Sequence, residues 1–236
     1  MPVLEALAIV GVGLVAGTVN TIVGSGSLIT FPTLLAFGFT PIVANVSNTV
    51  GLAPGSLSGA VAYRRELAGQ RPRLLVLGTA SIAGGITGAV LLLALPGSVF
   101  RHVVPVLILV ACALVAVQPR LSRRLADRER PSLHGGPPLY LSIFVTGIYG
   151  GYFGAAQGIL MMSVLGLSLA DTMQRLNAVK VVTTGLTNLV AGVVFVLAAH
   201  VAWDVAGLIA GGSIIGGVLG ARYGRRLSPT ALRALI

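Results

Sequence analysis

The sequence predicts an all-α fold: a polytopic transmembrane helical bundle of two inverted repeats with short broken or re-entrant helices. Three observations predict it. Of 236 residues, 55% are hydrophobic and only 9% are charged, against about 25% charged in a soluble domain. Too few polar groups remain to cover a water-facing surface, so the missing solvent is lipid. Next, thirteen of the sixteen basic residues fall in three clusters, each beside a long apolar run. That is how loops held on the cytoplasmic side of a membrane are marked. Last, the chain resembles itself. Ser81, Gly84, Gly85, Gly88 and Ala89 recur as Ser213, Gly216, Gly217, Gly220 and Ala221, an offset of 132.

Taken in order, the first apolar run covers residues 2–22. It lacks a basic leading region, so it reads as a first membrane helix rather than a cleaved signal. Residues 24–38 are apolar but short and open on Gly24-Ser25-Gly26-Ser27. Residues 47–63 are expected to be broken at Pro54 and Gly55. Residues 74–94 and 102–118 are long enough to span, near the ~20 residues a bilayer requires. They complete a first half over residues 1–118. A basic cytoplasmic linker is expected over residues 119–136, with Arg120, Arg123, Arg124, Arg128 and Arg130. The second half, residues 137–236, repeats the order: a short run at 140–153, a Gly-rich start to 154–168, then spanning runs at 178–199 and 205–221. A new apolar segment starts just before Ile236, so a final helix is expected to lie beyond it.

A second offset links Gly17 and Gly24 with Gly147 and Gly154, and brings Asn48 near Asn177. Charge bias gives orientation. Arg64, Arg65, Arg71 and Arg73 mark a cytoplasmic loop, whereas its second-half counterpart, residues 200–204, has no Lys or Arg. The turn at 95–102 has one Arg, and its counterpart has Arg222, Arg225 and Arg226. Equivalent loops with opposite bias are expected of halves inserted upside down relative to each other. The same positions make membrane topology, not nucleic acid, the explanation of the net charge of +10. The many glycines, 32 in all, suit close packing between membrane helices.

Cys112 is the single cysteine. It lies in an apolar run and is expected to be a buried core thiol; neither a disulfide nor a thiolate metal site can be built. No carboxylate pair, His cluster or nucleophile–base set emerges, so no catalytic residue, metal or cofactor is assigned and the chain is not read as an enzyme.

The polar residues that remain are few. Gly24-Ser25-Gly26-Ser27 fails as a phosphate loop, because no Gly-Lys-Ser/Thr follows. It does interrupt an apolar run, and such a break frees N–H groups that attract anions at a helix start; close helix packing is the competing use of these glycines. Its counterpart holds Gly154, Gln157 and Gly158. Asn45-Val46-Ser47-Asn48-Thr49 and Gln174-Arg175-Leu176-Asn177 open two further segments, where Asn and Ser also serve as helix caps. Lys180 carries charge into an apolar segment, which marks a functional site by default; snorkelling to the interface is the alternative. Thr184 and Asn188 follow it on one helix face. With Lys180 they form a polar stripe suited to the wall of an anion cavity, or to helix–helix hydrogen bonding. Asp171 and Arg175 are spaced for a surface ion pair.

The first half, Gly17 through Gly24-Ser25-Gly26-Ser27 to Pro32, then Gly38 to Asn45, resembles the first repeat of the sulfite exporter TauE/SafE family. Gln174-Arg175-Leu176-Asn177-Ala178-Val179-Lys180, Asn188 and Val201 to Asp204 are similar to its second repeat. The resemblance covers nearly the whole chain. It implies a multi-pass permease of the bacterial inner membrane for sulfite, organosulfonates or related small anions. It carries over Gly24, Gly26, Pro32, Asn48, Gly154, Asn177 and Lys180. Ala155, Ala156 and Gln157 stand where glycines are often seen, which leaves the substrate open among several anions. The expected function is secondary transport of a small anion, with an anion channel or a membrane scaffold without alternating access as the alternative. The expected substrate-binding residues are Lys180, Asn48, Asn177, Ser25, Ser27, Gly24, Gly26, Gln157, Thr184 and Asn188. The expected partners are the anion and the lipid bilayer, with a homo-oligomer left open.

Overall fold

The computed structural model describes residues 2–126 and 136–226, without the side chains of 114, 115 and 118–126. The described residues form nine α-helices and no strand. They are α1 (Val3–Ile22), α2 (Ser27–Ala36), α3 (Pro41–Ala62), α4 (Arg71–Ala94), α5 (Gly97–Ala126), α6 (Pro137–Tyr152), α7 (Gln157–Ser168), α8 (Met173–Ala198) and α9 (Trp203–Arg226). Four of them, α1, α4, α8 and α9, are long and apolar enough to cross a membrane. Between α1 and α3, and between α6 and α8, stand the short α2 and α7, of 10 and 12 residues. At ~1.5 Å per residue neither spans a bilayer alone.

Two expectations are corrected. Residues 47–63 are not broken: α3 runs unbroken through Pro54 and Gly55. A proline removes one helical hydrogen bond, and here the flanking turns hold the helix against α8 and α9. Cys112 is exposed, not buried. An apolar run does not separate a core face from a lipid face, and Cys112 lies on the outward side of α5. In addition, α5 continues to Ala126, so the first part of the expected linker is helical. Residues 127–135 of it lie outside the described residues, as does the apolar segment that starts before Ile236.

The repeated glycines make the helix crossings. A methyl group added to Gly84 would lie 2.3 Å from the Phe144 carbonyl oxygen on α6, and one on Gly216 would lie 2.2 Å from that of Leu14 on α1. Likewise Gly88 meets Ile148 and Gly220 meets Thr18, while Gly85 meets Thr187 and Gly217 meets Gly55. Each of these contacts joins the two halves, and each has a counterpart with the halves exchanged. Only glycine permits backbones this close.

These contacts also fix helix directions. Gly13 and Gly17 of α1 meet Ile209 and Ser213, and Gly51 and Gly55 of α3 meet the same two residues, so α1, α3 and α9 run parallel. By the same reasoning α4, α6 and α8 run parallel. The two groups are antiparallel, since Gly59 meets Val181, Gly185 meets Ser56 and Gly192 meets Val50. Helices at matching positions in the halves therefore point in opposite directions. Because α1 and α3 are parallel, α2 must carry the chain back to the end where α1 began. In the second half α7 does the same from the other end. Large aliphatic side chains such as Val3, Leu7, Leu75, Leu109, Leu141 and Leu197 face outward, an apolar surface suited to lipid.

Candidate functional site at the meeting of two helix breaks

The first break is made by backbone geometry. The N–H groups of Val23 and Gly24 both turn to the Val19 carbonyl, and Gly24 takes φ +87°, a left-handed conformation that favours glycine. α2 then starts without a side-chain cap. Its first bonded N–H groups are those of Leu28, Ile29 and Thr30, which reach Ser25 and Gly26. The N–H groups of Ser25, Gly26 and Ser27 have no partner among the described residues. Free N–H groups at the positive end of a helix favour an anion. Gly26 has no room for a side chain either: a methyl there would stand 2.4 Å from the Ala16 carbonyl oxygen.

The second break follows the same plan. The N–H groups of Phe153 and Gly154 converge on the Tyr149 carbonyl, and Gly154 has φ +77°. Ala156 at φ 59° is the single non-glycine with positive φ among the described residues, a conformation that costs about 1–2 kcal/mol. The two breaks touch. The Gly158 N–H donates to the Gly24 carbonyl at 2.9 Å, and a methyl on either glycine would lie 2.3 Å from the other's Cα. The hairpins α1–α2 and α6–α7, entering from opposite ends, meet tip to tip.

The side chains around this junction come from α3 and α8. Asn48 Nδ2 donates to Ser27 Oγ at 3.1 Å and Asn48 Oδ1 accepts from Thr30 Oγ1, tying α3 to the first turn of α2. Asn177 Nδ2 donates to the Thr21 carbonyl at 3.3 Å and to the Tyr63 hydroxyl at 3.0 Å. Lys180 is 0% exposed, which removes the snorkelling alternative. Its ammonium donates to the carbonyls of Asn20, Thr21 and Ile22 at 3.3, 3.1 and 3.3 Å. A cation thus sits on the negative end of α1, directly behind the break.

The other expected site residues divide. Ser25 is 93% buried by a 7% exposure and its hydroxyl makes no hydrogen bond among the described residues. Gln157 opens α7, is 3% exposed, and its Nε2 has no partner. Both lie in the breaks with hydrogen-bonding capacity to spare. Thr184 turns its hydroxyl to the Lys180 carbonyl at 2.8 Å, within its own helix, and Asn188 is half-buried beyond it. The junction therefore gathers Gly24, Gly26, Ser25, Ser27, Asn48 and Gln157, with Lys180 and Asn177 behind it. Thr184 and Asn188 extend along α8.

Asn45, which the sequence alone gives no site role, makes a bond of the same kind as Asn177. Its Nδ2 donates to the Tyr152 carbonyl at 3.0 Å, clamping the end of α6 as Asn177 clamps the end of α1. The offset of 132 pairs Asn45 with Asn177 and Asn48 with Lys180, in place of the pairing of Asn48 with Asn177. Thr30 was also missed; a lone Thr in an apolar run carries no distinguishing signal.

At the end of the molecule where α3 and α9 finish, basic residues meet acidic partners. Asp171 binds Arg73 at 2.8 Å and Arg175 at 2.9 Å. Burial works against its charged form, but hydrogen bonds from Arg73, the Thr172 N–H and Arg175 outweigh that and hold its pKa below the ordinary carboxylate value. Arg225 reaches Glu66 at 3.5 Å and the Ala62 carbonyl at 2.8 Å.

The family model described as "Sulfite exporter TauE/SafE" matches residues 9–236. "Probable membrane transporter protein YfcA" of Escherichia coli (strain K12) is 28% identical over 221 residues, 92% of this chain and 78% of that protein. A "Probable membrane transporter protein" of Haemophilus influenzae is 28% identical over 225 residues, 95% of this chain and 87% of that protein. "Probable membrane transporter protein ORF9" of Sinorhizobium sp is 25% identical over 224 residues, covering 94% and 84%. No solved structure matches.

Proposed function

The chain belongs to the sulfite exporter TauE/SafE family, a family of membrane transporters, and from that premise we propose that it is a secondary transporter of a small anion. The proposed substrate is a sulfur oxyanion such as sulfite, or an organosulfonate, and the proposed location is the bacterial inner membrane, crossed several times. Membership in a transporter family points away from enzyme chemistry.

One observation carries the reading: the tips of the two hairpins touch at Gly24 and Gly158, beside free N–H groups and a buried cation. Ser25 and Ser27, the Ser25–Ser27 N–H groups and Gln157 Nε2 would hydrogen-bond the anion's oxygens. Lys180 would lend charge through space, because all three of its N–H bonds are committed to α1. Asn48 would hold the first turn of α2, and Asn177 the end of α1. Thr184 and Asn188 would line the approach along α8. Oppositely directed halves would then expose the junction to one side or the other.

The test is uptake of radiolabelled sulfite and sulfoacetate into proteoliposomes, with taurine, thiosulfate and acetate as competitors. Saturable uptake that Gln157→Ala and Ser25→Ala each reduce at least about tenfold, the loss of one or two directed hydrogen bonds, is expected. Uptake no faster than in empty liposomes refutes transport of these anions, and flux that never saturates refutes a carrier.

A further inference from the structure

The ends of α1 and α6 are built alike but neutralised differently. In each, two N–H groups converge on one carbonyl, Val19 or Tyr149, and a positive-φ glycine follows, Gly24 or Gly154. In each, an asparagine clamps a terminal carbonyl, Asn177 or Asn45. At α1 the carbonyls of Asn20, Thr21 and Ile22 then hold the Lys180 ammonium. Their counterparts at α6 are Gly150, Gly151 and Tyr152. Lys180's counterpart is Asn48, a short neutral side chain turned to Ser27 and Thr30 on α2. No cation of this chain is seen at the α6 end among the described residues.

The difference between the two ends lies in their carbonyls. Tyr152 O accepts from Asn45, while the Gly150 and Gly151 carbonyls receive no hydrogen bond among the described residues. The Asn45 amide is oriented by its bond to Tyr152 O, since its own oxygen would repel that carbonyl. Asn45 Oδ1 is left with no donor, on a side chain 1% exposed, as Asn177 Oδ1 is at the α1 end. Gln157 packs its amide against Gly150, with both its Oε1 and its unpartnered Nε2 beside that glycine. A buried acceptor without a donor is costly and calls for a partner. Several neutral oxygens at the negative end of a helix suit a hard monovalent cation.

We propose that the α6 end binds a monovalent cation, with sodium as the probe, on Asn45 Oδ1 and the free carbonyls of Gly150 and Gly151. The bound ion stands where the other half keeps the Lys180 ammonium. This goes beyond anion transport and rests on that reading only for its use. A cation held beside the hairpin tips is placed to couple its own gradient to movement of the anion.

The experiment needs no transported anion. Purified protein in detergent is melted in sodium, potassium and choline chloride at equal ionic strength. Saturable stabilisation by sodium or potassium over choline is expected, because a ligand that binds only the folded state raises its melting temperature. Asn45→Ala should abolish that increment. Asn48→Lys should supply a tethered ammonium, raising stability in choline and removing the response to sodium. Equal melting of the unaltered protein in all three salts means that these oxygens hold water, and overturns the proposal whether or not the variants fold. So does an Asn45→Ala protein that keeps the full increment. Neither result touches anion uptake, and a failure of anion uptake with the sodium response intact would refute only the transport reading.

Discussion

Lys180 shows how one residue can be conspicuous in a sequence while its contacts stay hidden. A lone charge in an apolar segment was legible, because burying it is costly unless something compensates. That the compensation is three carbonyls of α1 was not, since those partners lie about 160 residues away in the chain. Lys180→Ala is expected to lower stability on the order of 2 kcal/mol, from the lost cation at the helix end and the void it leaves, and to lose transport; melting in detergent alongside uptake checks both. Gly24 was legible as part of a break, and its φ of +87° explains the choice of residue. Its contact with Gly158 was not legible, because nothing local distinguishes a glycine that meets another backbone from one that only turns. Gly24→Ala should cost at least about 1 kcal/mol for the left-handed backbone alone, and more for prying the tips apart. Near-normal melting of that variant would remove the close junction.

At the scale of elements, apolar length located the spanning helices α1, α4, α8 and α9, and the Gly-rich interruptions located α2 and α7. The run expected to span at 102–118 lies in α5, which is not among the candidate spans of the described residues. Pro54 misled, because a proline disrupts a helix only where neighbouring packing does not hold it, and packing is invisible in one sequence. The glycines that recur at an offset of 132 proved to be helix-crossing contacts, and their consequences should match between halves. Gly84→Leu is expected to disturb α4 on α6 about as much as Gly216→Leu disturbs α1 on α9, each by about 1–3 kcal/mol of overpacking or more. A large difference between the two melting temperatures would contradict equivalent crossings. The ion pairs at the α8 start give a pH effect of definite sign. The folded-state pKa of Asp171 is lowered, so its contribution is present above the ordinary carboxylate pKa and is lost as pH falls through the lowered folded value. Asp171→Asn should therefore be less stable than the unaltered protein at neutral pH, with the gap closing in acid. A gap that persists at low pH would assign the loss to packing instead.

For the whole molecule, the scarcity of charged residues fixed the membrane class, and the clustered arginines agree with a bundle whose α3–α4 loop and α9 terminus lie at one end. What composition could not supply was depth: where each hairpin stops, and that the two stop against each other. That follows from helix directions, which depend on contacts between halves. This meeting point is the proposed binding place of the anion, reached from one side at a time. The most direct measurement of this uses a Ser25→Cys, Cys112→Ser protein in proteoliposomes, labelled by a membrane-impermeant maleimide applied to either face, with and without sulfoacetate. The introduced thiol is expected to be labelled, with saturating sulfoacetate slowing the reaction several-fold. Labelling at an unchanged rate whatever the anion present, or equally fast from both faces at once, would contradict it.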